Sequence, residues 1–90
     1  MHSMHDLKGI EKDIFEFVRE QWPSSSLDIA EHFGHNLNER DESRRASTKY
    51  TYYLKKLVEK ELLMCKKAGN TLVVWPLEVE KLRTVQQVLR

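Results

Sequence analysis

The sequence has little of several features that would mark a particular class of protein. It contains one cysteine, Cys65, so no internal disulfide can form and a reducing, intracellular setting is the simplest fit. It has no run of about 18 apolar residues, so no segment is expected to span a membrane. Its N-terminus lacks the apolar core of a secretory signal. These absences predict a cytoplasmic protein with no membrane partner.

Motifs of catalysis and of cofactor binding are also missing. The chain has three glycines and no glycine-rich phosphate loop, nucleophile–base arrangement or paired-carboxylate pocket. One weak metal pattern is present in Asp28, His32 and His35, but Gly34 should break the helix between the two histidines. We therefore predict no enzyme, no cofactor and no metal site, and we expect these histidines to be exposed.

Charge is divided unevenly along the chain, although the formal net charge is only +1. Residues 1–42 hold four Lys/Arg against ten Asp/Glu, a balance of −6. Residues 43–76 hold eight against two, a balance of +6, and residues 77–90 hold three against two. This division predicts that the basic half meets something anionic, or the acidic half of a neighbouring copy.

Two helices are predicted in the acidic half. The first covers residues 6–22 and ends at Pro23, because the residue before proline is pushed out of the helical region. Its acids are expected to form a solvent-exposed face: Glu11, Asp13, Glu16 and Glu20. The second is short, over residues 27–33, with a serine cap before it and Gly34 after it. Its inward residues should be Ile29, Ala30 and Phe33, with help from Leu27.

A long basic helix is predicted over residues 42–60, with Asn38 or Asp41 as its candidate N-cap. At 100° per residue, its core-facing side collects Ala46, Tyr50, Tyr53, Leu54 and Leu57. The opposite side collects Arg44, Arg45, Thr48, Thr51, Tyr52, Lys55 and Lys56. That second side needs a partner or water.

A β-hairpin should follow, with strands at residues 62–67 and 71–75 around an Ala-Gly-Asn turn. Cys65 is expected to be buried in the first of these strands as a small apolar residue.

A last amphipathic helix is predicted over residues 77–90. It is marginal alone, so it should pack on its own domain or on a second copy. Phe15 and Trp22 of the first helix offer surplus apolar surface for the same contact. We therefore predict a homodimer through the C-terminal helix and the first helix. Residues 1–5 are expected to be flexible.

The order of these elements resembles the winged helix-turn-helix family of DNA-binding proteins. The segment SSSLDIAEHFG, residues 24–34, is similar to the family's second helix, in which a capped turn precedes L-x-x-A-E-x-[LF]-G. The segment TKYTYYLKKLVEKELL, residues 48–63, is similar to its recognition helix running into the wing. The chain departs from the family at Glu61, where glycine is common, and in the dozen residues after Gly34.

The resemblance implies one α+β winged-helix domain over residues 1–90: a three-helix helix-turn-helix core, a two-stranded hairpin wing and a C-terminal helix. Helix 42–60 would enter the major groove of double-stranded DNA, with hairpin 62–75 as the wing. Candidates for base contact are Arg44, Arg45, Ser47, Thr48, Thr51 and Tyr52. Candidates for phosphate or wing contact are Lys49, Lys55, Lys56, Lys66, Lys67 and Asn70.

The predicted function is sequence-specific DNA binding by a nucleoid-associated homodimer that regulates transcription. Two other functions fit the same sequence. A winged-helix protein–protein module would use the acidic first helix or the C-terminal helix as its working surface. An RNA or single-strand binder is the other alternative, since the fold also permits it.

Overall fold

The computed structural model describes residues 9–69 and 71–79, which form an α+β fold, as predicted. Its elements are α1 (Ile10–Glu20), β1 (Ser24–Ser25), α2 (Ser26–His32), α3 (Arg40–Glu59), β2 (Leu63–Ala68) and β3 (Thr71–Pro76). Residues 77–79 are again helical. The predicted flexible segment 1–5 and most of the predicted helix 77–90 lie outside the described residues. Among the described helices, none is long and apolar enough to cross a membrane.

Helix α1 ends two residues earlier than predicted. Gln21 is its C-cap, and the backbone N–H of Gln21 donates to the carbonyl of Phe17 at 2.9 Å. The ring of Pro23 excludes the helical conformation at Trp22, so the helix stops before that residue. Phe15 is buried at 5% exposure, so the expectation that it offers surplus surface is wrong, whereas Trp22 is 48% exposed.

Helix α2 begins at a serine cap, as predicted, and the cap is reciprocal. The Ser25 hydroxyl accepts from the backbone N–H of Asp28 at 3.2 Å, and the Asp28 carboxylate accepts from the backbone N–H of Ser25 at 2.9 Å. This capping box satisfies two N–H groups that the helix leaves unpaired. The prediction that Leu27 faces the core is wrong, because it is exposed and Ser26 is buried instead.

Strand β1 was not predicted, since its serines resemble a simple turn. Ser24 pairs with Val74 and Ser25 with Val73, so the antiparallel sheet has the order β1-β3-β2. Ser24 is 1% exposed, and its hydroxyl donates to the carbonyl of Gln21 at 2.6 Å. The pairing joins residues about 50 positions apart, so local residue preferences carry no signal for it.

Helix α3 begins at Arg40, two residues before the predicted start. Its N-cap is Glu39, which makes no side-chain cap hydrogen bond, so neither Asn38 nor Asp41 is the cap. Asn38 instead donates its backbone N–H to the side chain of Asn36 at 3.0 Å. The residues after α2 thus form a short connection into a longer helix.

The C-terminal ends of α2 and α3 share one geometry. In α2 the N–H groups of Gly34 and His35 donate to the carbonyls of Glu31 and Ala30, each at 3.0 Å. In α3 the matching bonds run from Glu61 to Val58 at 3.0 Å and from Leu62 to Leu57 at 3.1 Å. Both are Schellman motifs. Glu61 takes the left-handed φ of 61° that glycine would normally supply, and Gly34 has φ 87°.

The predicted hairpin is present, with β2 and β3 paired from Leu63↔Pro76 to Ala68↔Thr71. Its turn is therefore two residues, not three. The prediction that Cys65 is buried is wrong: the residue is exposed. Strand β2 lies at the edge of the sheet and only its first residue, Leu63, reaches the core.

The core lies where α3 meets α1, α2 and the sheet. Four of the five predicted inward residues of α3 are at most 2% exposed: Ala46, Tyr50, Leu54 and Leu57. The fifth, Tyr53, is half-buried against them. They pack with Ile14, Val18, Ile29 and Val74 in one apolar cluster. This cluster fixes which side of α3 faces outward.

Candidate nucleic-acid interface

The outward side of α3 carries most of the residues predicted to contact DNA. Those that are exposed are Arg44, Arg45, Thr48, Lys49, Tyr52 and Lys55. Those that are half-buried are Ser47, Thr51 and Lys56. The helical wheel therefore assigned the two sides of α3 correctly, with partial burial only at the margins.

We call Arg44, Arg45, Thr48, Tyr52 and Lys55 the basic stripe, since their spacing places them along one side of α3. Eleven residues separate its ends, which corresponds to about 17 Å along the helix axis. Asp41 and Glu59 lie on the same side, beyond the two ends of the stripe, and both are exposed. The positive surface thus has a defined length with an acid at each end.

The cations of the basic stripe have no acidic partner in the part of the chain that the structure describes. Within residues 9–69 and 71–79, no ion pair within 4.0 Å engages Arg44, Arg45 or Lys55. Lys49 lies nearby, with its ammonium 5.5 Å from the ring centroid of Tyr50. These side chains keep their charge available to an anion in solution.

Lys56 differs from them, because it is held by a carboxylate. Glu11 is 9% exposed, so its predicted place on the solvent face of the first helix is wrong. It accepts a hydrogen bond from Lys60 at 2.7 Å and lies 3.1 Å from the Lys56 ammonium. The Lys60 hydrogen bond is the main cause that lowers the pKa of Glu11, and the bond to Glu11 raises the pKa of Lys56. This cluster ties α1 to α3 and competes with the predicted phosphate contact of Lys56.

Two hydrogen bonds fix α2 and the following connection on α3. The hydroxyls of Ser26 and Ser47 lie 3.3 Å apart, so Ser47 is engaged in helix packing as well as being a candidate for base contact. His35 Nε2 lies 2.8 Å from the hydroxyl of Tyr50, and its Nδ1 lies 3.7 Å from the Glu42 carboxylate. Burial raises the pKa of Tyr50. The first turns of α3 are thus held in a defined position.

The histidines considered for metal binding have separate roles. His32 stacks on Phe17 with ring centroids 4.4 Å apart, whereas His35 bonds Tyr50. Among residues 9–69 and 71–79, no three His, Cys, Asp or Glu side chains are grouped so that they could hold a metal ion. His32 is exposed, as expected, whereas the expectation that His35 is exposed is wrong, because it is half-buried.

Tyr52 is the one aromatic residue of the basic stripe. It is 58% exposed, its ring meets Tyr53 edge-on at 5.4 Å, and the Lys56 ammonium lies 5.3 Å from its centroid. An exposed ring beside a cation can stack on a base or place its hydroxyl on a phosphate.

The hairpin adds two lysines to the basic surface. Lys66 and Lys67 are exposed and adjacent on β2, so they project from opposite faces of the strand. Asn70, the third predicted wing residue, lies outside the described residues. Only one of the two lysines can therefore point toward a ligand bound on one face of the hairpin.

No protein-family model, curated protein or solved structure matches the chain.

Proposed function

We propose that this chain is a winged-helix protein that binds double-stranded DNA with the N-terminal half of α3 in the major groove. Arg44, Arg45, Thr48 and Thr51 would read base edges, and Lys49 and Lys55 would contact phosphates. The β2–β3 hairpin would serve as the wing. The protein would bind as a homodimer in the nucleoid. It would then regulate transcription by occluding a promoter or by recruiting a partner.

The observation that supports the proposal is the basic stripe, which has no acidic partner among the described residues and lies on the outward side of a helix whose inward side packs in the core. A helix fits the major groove, and Arg and Lys are its commonest readers of guanine. The stripe is about 17 Å long, so it can follow about half a turn of duplex. The acids at its ends would limit contact beyond that length.

Salt dependence tests whether binding is driven by phosphates. A labelled duplex should be titrated at several salt concentrations between 50 and 200 mM by fluorescence anisotropy, and a random genomic fragment pool by gel shift. Five cations are available, namely Arg44, Arg45, Lys49, Lys55 and one of Lys66 and Lys67, and they predict a slope of log affinity against log salt of about −4 to −5. Absence of duplex binding even at 50 mM salt would refute the proposal.

Charge-matched variants test where the DNA binds. We expect Arg44→Ala with Arg45→Ala to weaken duplex binding by about 10- to 100-fold, since each residue contributes a phosphate or base contact. The matched control is Lys12→Ala with Arg19→Ala, which removes the same charge from α1. Equal losses in the two double variants would mean that α3 is not the contact surface.

A second candidate, single-strand binding, is favoured by one observation, the exposed ring of Tyr52 within the basic stripe. Stacking of a base on an aromatic ring contributes about 1–3 kcal/mol and is sequence-tolerant. Under this alternative, single-stranded probes would outcompete duplex, and Tyr52→Ala would lower single-strand affinity far more than Tyr52→Leu lowers duplex affinity. Preference for duplex would exclude it.

A further inference from the structure

The surface between α1 and α2 has features that the DNA proposal does not use. Two hollows, of about 450 and 270 Å³, are both lined by the stacked rings of Phe17 and His32. Phe33 meets His32 edge-on at 5.0 Å and continues the row of rings. We call the two hollows together the acid-lined groove.

Carboxylates surround these rings. Asp28 and Glu31 line the larger hollow, and Asp13, Glu16 and Glu20 line the smaller one. Among the described residues, no Lys or Arg lines either hollow. Asp28 is used in the α2 capping box, but within the described part of the chain no ion pair within 4.0 Å engages the other four.

We propose that the acid-lined groove is a docking surface for a segment of a partner protein that carries at least two Lys or Arg side chains. A cation placed over Phe17 would gain a cation–π contact and would lie beside the carboxylates of Glu16 or Glu31. The alkyl stems of Lys and Arg would cover the exposed ring edges. Helix α1 already contains a cation–π contact, in which the guanidinium of Arg19 lies 5.8 Å from the ring centroid of Phe15.

Charge complementarity selects this occupant over others. A nucleic acid or another anion would be repelled by five carboxylates. The basic stripe of a second copy would fit less well, because Asp41 and Glu59 at its ends would approach the acids of the groove. A short cationic segment carries no such acids. The described lining of the groove lies between Asp13 and Phe33 and so shares no residue with the basic stripe of α3.

Peptide binding without DNA tests the inference independently of the proposed function. The probe is a fluorescein-labelled eight-residue peptide of alternating Arg and Ala, compared with its Glu–Ala counterpart by anisotropy at 50 and 300 mM salt. We expect the Arg peptide to bind at 50 mM salt, the Glu peptide to show no binding, and the affinity to fall at 300 mM salt. Equal binding of both peptides would overturn the proposal.

Two double variants with the same change in net charge localise the contact. Glu16→Lys with Glu20→Lys should weaken binding of the Arg peptide at least about tenfold, since two attractive charges become repulsive. Asp41→Lys with Glu59→Lys, on α3, should change it less than about threefold. Equal losses would mean that only net charge matters and would overturn the proposal.

Phe17→Leu separates the aromatic contact from the charge. It keeps an apolar side chain of similar size, and thermal melting would confirm that the fold persists. We expect a loss of about two- to fivefold in affinity for the Arg peptide, as a cation–π contact at an exposed site provides. An unchanged affinity in the folded variant would remove the aromatic part of the inference.

Sedimentation of the wild type at 50 mM salt tests whether the occupant of the groove is a second copy of the chain and not a separate partner. If association depends on concentration and Glu16→Lys with Glu20→Lys abolishes it, the groove binds another copy of the chain and the proposal of a separate partner is wrong. Association that the variant leaves unchanged, or a monomer throughout, agrees with the proposal.

Discussion

The two sides of α3 show how one helix can encode a fold and an interaction surface in separate residues. Its inward side holds residues that are at most 2% exposed, among them Tyr50 and Leu54. Its outward side holds the basic stripe, whose cations have no acidic partner within 4.0 Å in the described part of the chain. At the margin between them, Lys56 and Lys60 are charged but are held by Glu11. Sequence charge therefore overstates the charge that α3 can offer to an anion.

The largest expected effect comes from the inward side. Leu54 is fully buried, so Leu54→Ala should lower the free energy of unfolding by about 2–5 kcal/mol through lost transfer energy and a new cavity. Urea denaturation measures this loss. Thr48→Ala, on the outward side six residues earlier, should change stability by less than about 0.5 kcal/mol. Similar losses in both variants would contradict the assignment of the two sides.

The ion pairs of Glu11 with Lys56 and Lys60, at the margin of α3, should make the stability of the protein depend on pH. Replacing the nearly buried carboxylate in Glu11→Gln should lower the free energy of unfolding by about 1–3 kcal/mol at pH 7, because charge-assisted hydrogen bonds are lost. Folding lowers the pKa of Glu11 below its ordinary value of 4.5, so its stabilisation is present above about pH 4.5. It is lost as the pH falls through the folded-state pKa. Denaturation of both proteins from pH 7 to pH 3 measures the difference.

Glu16→Gln serves as the control for this experiment, because Glu16 is an exposed acid of the same helix with no ion pair among the described residues. The free energy of unfolding of Glu16→Gln should differ little from that of the wild type at any pH from 7 to 3. The stability gap between wild type and Glu11→Gln should narrow in acid. A gap that widens as the pH falls would show that the carboxylate is not stabilised by its lysines.

Adjacent lysines provide the sharpest test of available charge. If DNA binds the basic stripe, Lys55→Ala should reduce the slope of log affinity against log salt by about one unit. Lys56→Ala removes the same charge one residue away, but Glu11 already occupies that lysine, so the slope should change much less. Anisotropy titrations of both variants give the two slopes. A larger change for Lys56 would mean that DNA displaces Glu11.

The smallest expected effect concerns the exit of α3. Glu61 occupies a left-handed conformation that costs about 1–2 kcal/mol in a residue with a Cβ atom, and glycine loses about 0.5–1 kcal/mol in backbone entropy. Glu61→Gly should therefore raise the free energy of unfolding by about 0.5–1 kcal/mol. The reference is Gly34→Ala at the matching position of α2, which should destabilise. A destabilising Glu61→Gly or a stabilising Gly34→Ala would disprove the shared geometry.

Sequence pattern predicted much of this molecule, and its failures have physical reasons. The spacing of Tyr50, Leu54 and Leu57 predicted the buried side of α3, because a helix has one period and one core to face. The burial of Cys65 was wrongly predicted, because apolar residues in a strand do not show whether that strand lies at the edge of its sheet. The exposure of Glu11 was wrongly predicted, because an acid at a position typical of a solvent-exposed face gives no sign of two lysines 45 and 49 positions away.

The sequence by itself determined the local features: the helices α1 to α3, the two strands of the hairpin, the serine cap, the glycine stop, the tight turn and the division of charge. These depend on backbone preferences and on periodicity within a few residues. Only the tertiary structure decided the pairing of Ser24 and Ser25 with β3, the capture of Lys56 and Lys60 by Glu11, and the meeting of α1 and α2 around Phe17 and His32. Each joins residues far apart in the chain, and their energies arise only when packing brings them together.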